Sequence, residues 1–387
     1  MKKVLFVLTS YRQGGISRSL QNLLSYMDPS KIEADVFALD DFGPYKQLLP
    51  NCTILSPNKA ITLLVGRYED IPASEKKYSA MLKVCRNVFG KFGISVNDFL
   101  YRRHIKSICR NHDYDAVIAF SEGVATRFVS YAPVVNKVAW VHCNYESYWE
   151  LSGKPDEHSI YKKFRTVVNV SKFTKSVFDR IMHNYVGNSV SIYNVLDTDM
   201  MKRQAKASDF HDAFHSDKFT IVSIGRVDPV KNLSIIPQIA KELKDKGANF
   251  NWFIIGPKGT NEEMTKLQKN MAKNNCTEYV RYLGSQDNPY KYIASSDLLV
   301  NVSLSEACPY VINEAKVLHK PVVCSVFGSA TEFIDNGVNG LIADYPEMAD
   351  VICNLISSKQ KYDYFAQNLC DFEYDNDAIV KQVESII

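Results

Sequence analysis

Two glutamates in the last third of the chain have types and spacing that could serve one ligand. Glu306 and Glu314 are separated by seven residues in SLSEACPYVINEA, which spans residues 303–315. Pro309 suits the first turn of a helix, because its missing amide is no loss there. We expect Glu306 in the loop before this helix and Glu314 inside it. Taken alone, the pair has a simpler explanation, in which Glu306 caps the helix and Glu314 is solvated surface.

Two cations stand at a second position where ligands commonly bind. In IVSIGRVDPVKNLSII, a predicted strand ends at Gly225, Arg226 follows at once, and Lys231 comes five residues later at a predicted helix start. Open α/β sheets bind ligands at the carboxyl ends of their strands. A guanidinium and an ammonium beside a helix N-terminus would bind a diphosphate and stabilise a departing one. Surface salt bridges are the alternative explanation.

A glycine pair follows the first predicted strand. Gly14 and Gly15 stand where that strand must turn into a helix, in TSYRQGGISRSLQNLL. Residues without a Cβ let backbone amides approach an anion at a helix N-terminus. A tight turn would also explain the pair. The sequence contains no G-x-G-x-x-G, which disfavours an NAD-dependent oxidoreductase.

The elements that must position these residues alternate along the chain. Short β-branched and aromatic runs are each followed by a turn and a segment of helical period, which predicts parallel sheets covered by helices. The predicted strands are residues 4–8, 35–39, 116–120, 137–141, 166–170, 189–194, 219–225, 252–256, 279–284, 298–303 and 321–325. We therefore predict an α/β fold with two Rossmann-like domains that face each other across a cleft.

Chain length and one polar segment suggest the domain boundaries. A chain of 387 residues is long for a single core, which favours two domains. We expect an N-terminal domain over 1–195, a polar linker over 196–218 and a C-terminal domain over 219–365. A helical tail over 366–387 can pack back on the N-terminal domain.

Composition indicates a globular protein with reduced cysteines. The nine cysteines are odd in number and contain no C-x-x-C, which disfavours a disulfide framework or a zinc site. The net charge of +3 requires no nucleic-acid partner. The first apolar run, VLFVL, is short for a signal peptide, and no run is long enough to span a membrane. We expect a cytoplasmic protein.

One stretch departs from this even charge distribution. Residues 76–110 contain nine lysines or arginines and a single acidic residue, Asp98, interleaved with apolar side chains. Basic amphipathic segments of this kind bind anionic lipid surfaces. The stretch predicts an anionic membrane partner, with the protein peripheral at the inner face of the membrane. Ordinary domain helices with solvated cations are the alternative.

Two further motifs could bind a metal, but their context is weak. Asp-x-Asp occurs at residues 113–115, 197–199 and 375–377, each time in polar surroundings. His211 and His215 have ligand-like spacing in HDAFH, but no HExxH glutamate accompanies them and they lie in the predicted linker. We therefore predict no metal and no resident cofactor.

The motifs taken together resemble a known family. GRVDPVK, SEACPYVINEA, HKPVV and EFIDNGVNGLI are similar to the C-terminal domain of the retaining glycosyltransferases of family 4, which have the GT-B fold. GGISRSLQNLL, AVIAFSEGVAT, KVAWVHCNY and VVNVSKFTKSVF before IYNVLD are similar to the N-terminal domain. The resemblance covers most of the chain except about residues 40–110 and the linker. Ala307-Cys308-Pro309 replaces the family's usual Gly-Phe-Gly, which leaves the detailed phosphate contacts open.

The resemblance implies a role for each candidate residue. The catalytic assignments are Glu306, at the transferring hexose, and His142, which can hydrogen-bond the hexose and steady positive charge at the anomeric carbon. A histidine after a strand is otherwise often a structural residue. The donor-binding assignments are Arg226 and Lys231 on the diphosphate, the amides of Tyr310 and Val311 beside them, Glu314 on the ribose, Ser285 and Gln286 at the base, and Gly15 in the glycine turn near the acceptor.

The resemblance also implies an activity. A retaining glycosyltransferase would move a hexose from a nucleotide sugar, with UDP the expected nucleotide, to a glycan or lipid-linked acceptor in cell-surface polysaccharide assembly. The donor would bind the C-terminal domain and the acceptor the N-terminal domain. Two other functions stay open, a nucleotide-sugar epimerase of the same fold and a non-catalytic nucleotide-sugar-binding protein. The epimerase would act without an acceptor, and the binding protein would bind UDP without transfer.

Overall fold

The chain folds into two compact α/β units. The structure, a computed structural model, describes residues 1–153, 155, 157–211, 214 and 218–387. Unit 1 comprises Met1–Leu196 and Asp375–Ile387, and unit 2 comprises Asp197–Tyr374. Each unit contains a parallel sheet with alternating helices, so the predicted α/β fold of two Rossmann-like domains is confirmed.

Unit 1 is built on a parallel sheet of seven strands. The strands are β1 (Lys2–Ser10), β2 (Ile32–Asp40), β3 (Cys52–Ile54), β4 (Ala116–Ala119), β5 (Lys137–Val141), β6 (Thr166–Asn169) and β7 (Asn188–Ser191). Their order across the sheet is β3-β2-β1-β4-β5-β6-β7. The helices are α1 (Gly15–Tyr26), α2 (Lys59–Val65), α3 (Lys76–Lys91), α4 (Val96–Asn111), α5 (Val124–Val129), α6 (Tyr145–Leu151), α7 (His158–Tyr161) and α8 (Lys172–Ile181).

Unit 2 is built on a parallel sheet of six strands. The strands are β8 (Phe219–Ile224), β9 (Phe250–Ile255), β10 (Val280–Tyr282), β11 (Leu298–Asn301), β12 (Val322–Ser325) and β13 (Gly340–Ala343), in the order β10-β9-β8-β11-β12-β13. The helices are α9 (Thr198–Gln204), α10 (Ile236–Asp245), α11 (Asn261–Lys273), α12 (Tyr290–Ser295), α13 (Tyr310–Val317), α14 (Ala330–Phe333), α15 (Tyr345–Ser357) and α16 (Lys359–Leu369). A last helix, α17 (Asn376–Ile386), returns to unit 1.

Each sheet has a switch point where the strand order reverses. In unit 1, β1 has β2 on one side and β4 on the other. In unit 2, β8 lies in the same way between β9 and β11. The connections leave such a strand in opposite directions, which opens a crevice at the carboxyl ends where ligands bind in open α/β sheets.

All eleven predicted strands are present, several with nearly the predicted bounds. Central strands such as β1 and β9 are buried along most of their length, which explains why they read as continuous apolar runs. The two strands that the sequence pattern missed, β3 and β13, lie at sheet edges and have only three and four residues. Runs this short carry little periodicity.

The unit boundaries differ from those expected. From Asp197 onward, the described part of the predicted linker belongs to unit 2, and contacts with the α12 region attach it there. Asn288 donates to the carbonyl of Gln204 at 2.8 Å, and the Lys291 ammonium lies 3.1 Å from the Asp209 carboxylate. The predicted tail also divides: α16 stays in unit 2 with Phe365 buried, and only α17 joins unit 1.

Both boundaries coincide with an Asp-x-Asp motif. Asp197 accepts the Met200 N–H at 3.0 Å and caps α9, and Asp375 accepts the Ala378 N–H at 2.9 Å and caps α17. Within the described residues, no group of three His, Cys, Asp or Glu side chains could hold a metal ion, and His215 lies outside those residues. None of the described helices is both long and apolar enough for a membrane crossing.

Candidate active site

Glycines set the carboxyl edge of the unit 2 sheet. Gly225 follows β8 directly and Gly256 follows β9 directly. A Cβ on Gly256 would lie 2.0 Å from the Gly225 carbonyl oxygen, and Gly256 has a φ of +147°. The Gly256 N–H also donates to the Gly284 carbonyl at 2.8 Å. Three strand ends therefore pack backbone against backbone, which fixes the floor of the crevice.

The predicted cation and carboxylate of this crevice are in direct contact. The Lys231 ammonium lies 2.6 Å from Glu306 Oε1. Lys231 follows β8 in the loop before a 3₁₀ turn, Leu233–Ile235, so it precedes the helix instead of starting it. Glu306 follows β11, and the Leu304 N–H donates to the Val230 carbonyl at 2.8 Å, which ties the two loops together. The pair therefore sits at the switch point of unit 2.

Glu306 is held by several hydrogen bonds on one side only. Ser303 Oγ donates to Glu306 Oε1 at 2.7 Å, and Asn301 Nδ2 reaches the same oxygen at 3.4 Å. Ser329 Oγ fixes the backbone by donating to the Glu306 carbonyl at 2.8 Å. Among the described residues, none donates to Oε2. The buried carboxylate is thus preorganised and keeps one oxygen for a ligand hydroxyl.

Asp228 connects the two predicted cations. Its Oδ2 accepts from Arg226 Nε at 2.9 Å, and its Oδ1 accepts the Lys231 N–H at 2.9 Å. The Arg226 guanidinium thus pairs with Asp228 and the Lys231 ammonium with Glu306, as the salt-bridge explanation predicts. The Arg226 side chain is still 60% exposed, and Lys231 stands beside an open carboxylate oxygen. The arrangement leaves both cations able to contact an anion.

Helix α13 begins four residues after Glu306. Pro309 is its N-cap, and the amides of Tyr310 and Val311 lie in its first turn, at the end of the helix that attracts anions. Glu314 lies inside the helix, as expected, but is only 2% exposed and has contacts of its own within the protein. Its predicted ribose contact stays a prediction.

The predicted base-binding residues lie after β10. Ser285 is exposed and follows Gly284, which has a φ of +71°. The Gln286 side chain is already in use: Nε2 donates to the Leu283 carbonyl at 2.8 Å, and Oε1 accepts from Tyr292 at 2.9 Å. A contact from Gln286 to a base is therefore better made by its backbone than by its side-chain amide.

The glycine pair at the switch point of unit 1 differs from the glycines of unit 2. Apart from the adjoining residues and the backbone of α1 itself, a Cβ on Gly14 or Gly15 would have no atom of the described protein within 4 Å. Gly14 has extended backbone with a φ of 172°, which any residue adopts. The packing of the described protein therefore does not require glycine here. This disfavours the explanation of the pair as a tight turn. It favours the explanation in which an open backbone is available to a ligand.

His142 lies directly after β5, at the same edge of the unit 1 sheet. Its N–H donates to Glu122 Oε2 at 3.1 Å, and its ring centroid lies 5.0 Å from that of Phe120. Its Nε2 is buried and, in the part of the chain described, has no hydrogen-bond partner. Burial lowers the pKa of His142 to about 3, so the imidazole is neutral at physiological pH.

Two site residues were missed by sequence reasoning, Asp228 and Glu122. Asp228 stands between the two predicted cations in GRVDPVK, and Glu122 stands just after a predicted strand in AVIAFSEGVAT. The rule that singled out Arg226, a polar residue at the carboxyl end of a parallel strand, applies equally to Glu122.

These two units, one with a cation–carboxylate pair at its switch point, have the architecture of the GT-B glycosyltransferases. Solved structures confirm this class of fold. Anabaena Alr3699/HepE in complex with UDP and glucose aligns with a TM-score of 0.75 and 19% identity, covering 100% of this chain and 99% of that chain. A variant of S. aureus TarM, solved with UDP, aligns with a TM-score of 0.72 and 15% identity, covering 100% and 99%.

Sequence comparison finds similarity to glycosyltransferases. Residues 205–369 match the family described as "Glycosyl transferases group 1". The N-acetylgalactosamine-N,N'-diacetylbacillosaminyl-diphospho-undecaprenol 4-alpha-N-acetylgalactosaminyltransferase of Campylobacter jejuni is 26% identical over 353 residues, which cover 89% of this chain and 86% of that protein. Residues 205–369 are therefore similar to the glycosyltransferase group 1 domain, and the chain has the GT-B fold, so the resemblance seen in its motifs is confirmed at this level.

Proposed function

We propose that this glycosyltransferase is a retaining hexosyltransferase of family 4. It transfers a hexose from a UDP-sugar to a glycan or lipid-linked acceptor in cell-surface polysaccharide assembly. The observation that carries the proposal is the Lys231–Glu306 pair at the switch point of unit 2, with its hydrogen bonds gathered on one carboxylate oxygen. A cation and an open carboxylate oxygen side by side suit a sugar diphosphate, which presents phosphate oxygens next to hydroxyl groups.

The residues of unit 2 fit the charge changes of such a transfer. The bond between the sugar C1 and the β-phosphate oxygen breaks, and the acceptor oxygen bonds to C1 on the same face. The acceptor's proton passes to the leaving phosphate oxygen. Negative charge grows on the diphosphate, where Lys231, Arg226 and the amides of α13 can stabilise it, each well-placed donor contributing about 3 kcal/mol. Glu306 Oε2 accepts a hexose hydroxyl and holds the ring during the step.

The comparisons support UDP and a lipid-linked acceptor. HepE and the TarM variant were solved with UDP, and the Campylobacter jejuni relative is named for an acceptor on diphospho-undecaprenol. The proposed transfer uses no metal, because two protein cations stand where a metal would otherwise neutralise the diphosphate.

The direct experiment combines donor screening with product analysis. Thermal shift with a panel of nucleotide sugars should select one UDP-sugar, and NMR of the product should show the anomeric configuration of the donor. Turnover should be unchanged by EDTA. Inversion, or a rate that EDTA abolishes and Mg²⁺ or Mn²⁺ restores, would contradict the mechanism. Conversion of the donor without acceptor would instead indicate an epimerase, and UDP binding without turnover a binding protein.

A membrane surface is the partner that we propose for residues 76–110. The stretch forms a hairpin of α3 and α4 in unit 1, with basic side chains next to exposed apolar ones. Phe92 and Phe99, at and near the tip, are 77% and 63% exposed, and Met81, Val84 and Ile94 are also exposed. Cations beside exposed apolar groups match the charged headgroups and acyl boundary of anionic lipid.

The tip of the α3–α4 hairpin lies near the carboxyl edge of the unit 1 sheet. Arg127, in α5, donates to Asp98 in the first turn of α4 at 2.6 and 2.7 Å. Because α5 begins just after β4, these bonds place the tip near the carboxyl edge of the sheet, where Gly15 and His142 also lie. A lipid-linked acceptor held at a membrane would therefore be close to the edge assigned to the acceptor.

Vesicle co-sedimentation tests this partner. We expect the protein to bind vesicles that contain phosphatidylglycerol, and to dissociate as salt is raised. Arg103→Glu/Lys106→Glu, on the exposed face of α4, should lose binding. Lys269→Glu/Lys273→Glu, on the exposed face of α11, makes the same charge change and should retain it. Binding that is indifferent to anionic lipid and to salt would exclude the membrane role.

A further inference from the structure

The switch point of unit 1 carries a carboxylate with no role assigned so far. Ser121 and Glu122 follow β4 across the switch point from β1, and the hydroxyls of Thr9 and Ser121 lie 2.9 Å apart and join the two strand ends. Glu306 stands at the corresponding topological position in unit 2, after β11 and across from β8. Glu122 is therefore in the crevice where ligands bind in folds of this kind.

The contacts of Glu122 lead to one neighbour. Its Oε2 accepts the N–H of His142 at 3.1 Å. This donor belongs to the segment that leaves β5. Desolvation by burial raises the pKa of Glu122, and hydrogen bonds from backbone N–H groups, those of Glu122 itself and of His142, partly offset the rise. A carboxyl group is thus kept in a desolvated place where it binds the backbone at His142.

The imidazole of His142 depends on this support. Its Nε2 forms no hydrogen bond with the described protein, so no side-chain partner at that atom fixes the direction of the ring. Two contacts in the described part of the chain help to set it: the ring packs against Phe120, and the peptide N–H is bound by Glu122. Without the carboxyl group, that N–H would lose its acceptor and the strand end could relax.

We propose that Glu122 is a positioning residue that aims the His142 imidazole at the substrate by fixing the backbone at the end of β5. The proposal rests on the proposed transfer of a hexose and on the role that the family resemblance implies for His142 in it. It assigns Glu122 no contact with the reacting atoms. The unpartnered Nε2 is then the atom that meets a sugar hydroxyl, and Glu122 sets where this atom stands.

A double-mutant cycle separates positioning from a direct role. Glu122→Ala should lower kcat by about 10- to 100-fold, the scale of a small misplacement of a catalytic group, with UDP affinity unchanged because the diphosphate residues lie in unit 2. Glu122→Gln keeps an oxygen for the His142 N–H and should restore most of kcat. If Glu122 acts through His142, Glu122→Ala/His142→Ala should be no slower than His142→Ala alone. Additive losses would overturn the proposal.

A second measurement does not depend on turnover. In protein with ¹⁵N-labelled histidine, the ring signals of His142, assigned by their loss in His142→Ala, should shift in Glu122→Ala and stay in place in Glu122→Gln. Glu146→Ala is the matched control, since Glu146 instead binds Arg180 at 2.8 Å and should leave signals and kcat unchanged. Unshifted His142 signals in Glu122→Ala would also overturn the proposal. Normal kcat in His142→Ala with shifted signals would remove the proposed role of His142 and leave the structural link intact.

Discussion

The switch points of the two units place a glutamate at the same topological position and surround it differently. Glu306 in unit 2 contacts an ammonium and keeps one oxygen open. Glu122 in unit 1 binds a backbone N–H, and burial raises its pKa. The crevice of unit 2 therefore presents a cation and is suited to a departing diphosphate. The crevice of unit 1 presents a carboxyl group and a neutral imidazole, and it is suited to the hydroxyl groups of sugars.

Removing the cation of the unit 2 crevice should have the largest effect. Lys231→Ala deletes the donor on the leaving diphosphate and leaves the buried Glu306 without its partner. We expect kcat to fall by about 100- to 1,000-fold and UDP affinity to fall as well, measured by initial rates and calorimetry. Lys269→Ala on the surface of α11 should change neither. Near-normal turnover in Lys231→Ala would reject the assignment of this crevice.

Neutralising the carboxylate of the same crevice should lower the rate of transfer without lowering the affinity for UDP. Glu306→Gln weakens the hold on the hexose, so transfer should fall by about 10- to 100-fold, as for loss of a hydrogen bond to a charged group. UDP, which lacks the hexose, should bind at least as tightly as before, because Lys231 is no longer neutralised. Weaker UDP binding would show that Glu306 does more than hold the sugar.

Substituting a glycine in each crevice compares the two units by thermal stability and by transfer activity. Gly256→Ala puts a Cβ against the Gly225 carbonyl and should destabilise unit 2 by about 1–3 kcal/mol, visible as a lower melting temperature. Gly15→Ala makes no such contact in the described protein, so the melting temperature should stay the same while transfer falls about tenfold through lost substrate positioning. Full activity in Gly15→Ala would favour the explanation of Gly14 and Gly15 as a tight turn without a role in binding.

The last prediction concerns the pH dependence of stability and the crevice of unit 1, and it affects transfer least. Burial lowers the pKa of His142 to about 3, whereas an unfolded histidine titrates near about 6.5. Only the unfolded state gains a proton between these values, so stability should fall as pH drops below about 6.5, by up to about 1.4 kcal/mol per pH unit. His142→Gln removes this contribution, and urea melts should show a shallower acid loss than the wild type. His183→Gln, at an exposed histidine, should melt like the wild type at each pH.

Much of the fold could be predicted because buried parallel strands leave a strong signal. KVAWV has the bounds of β5 as predicted, and VLFVL lies within β1. The described linker residues were harder, because their polar composition hides their attachment to unit 2. That attachment comes from single contacts such as Asp209 to Lys291, which no local pattern encodes.

The candidate site was predictable where chemistry and spacing coincide. Lys231 and Glu306 were singled out because a cation and a carboxylate each follow a strand, and the structure brings them into contact. Asp228 and Glu122 were missed because each fixes a backbone amide, that of Lys231 or of His142, and such a contact is not visible in the sequence. The Gln286 amide, singled out for a base, proves to be bound within the protein.

The chain crosses between the units at two points that one side chain joins. Asn376 accepts the Leu196 N–H at 3.0 Å and donates to the Leu196 carbonyl at 2.7 Å, so both crossings leave unit 1 from the same place. Residues 197–374 therefore form one continuous segment that could be exchanged as a whole. A chimera that imports this segment from a relative with another donor needs two cuts beside one amide, and Asp197, the cap of α9, should travel with the insert.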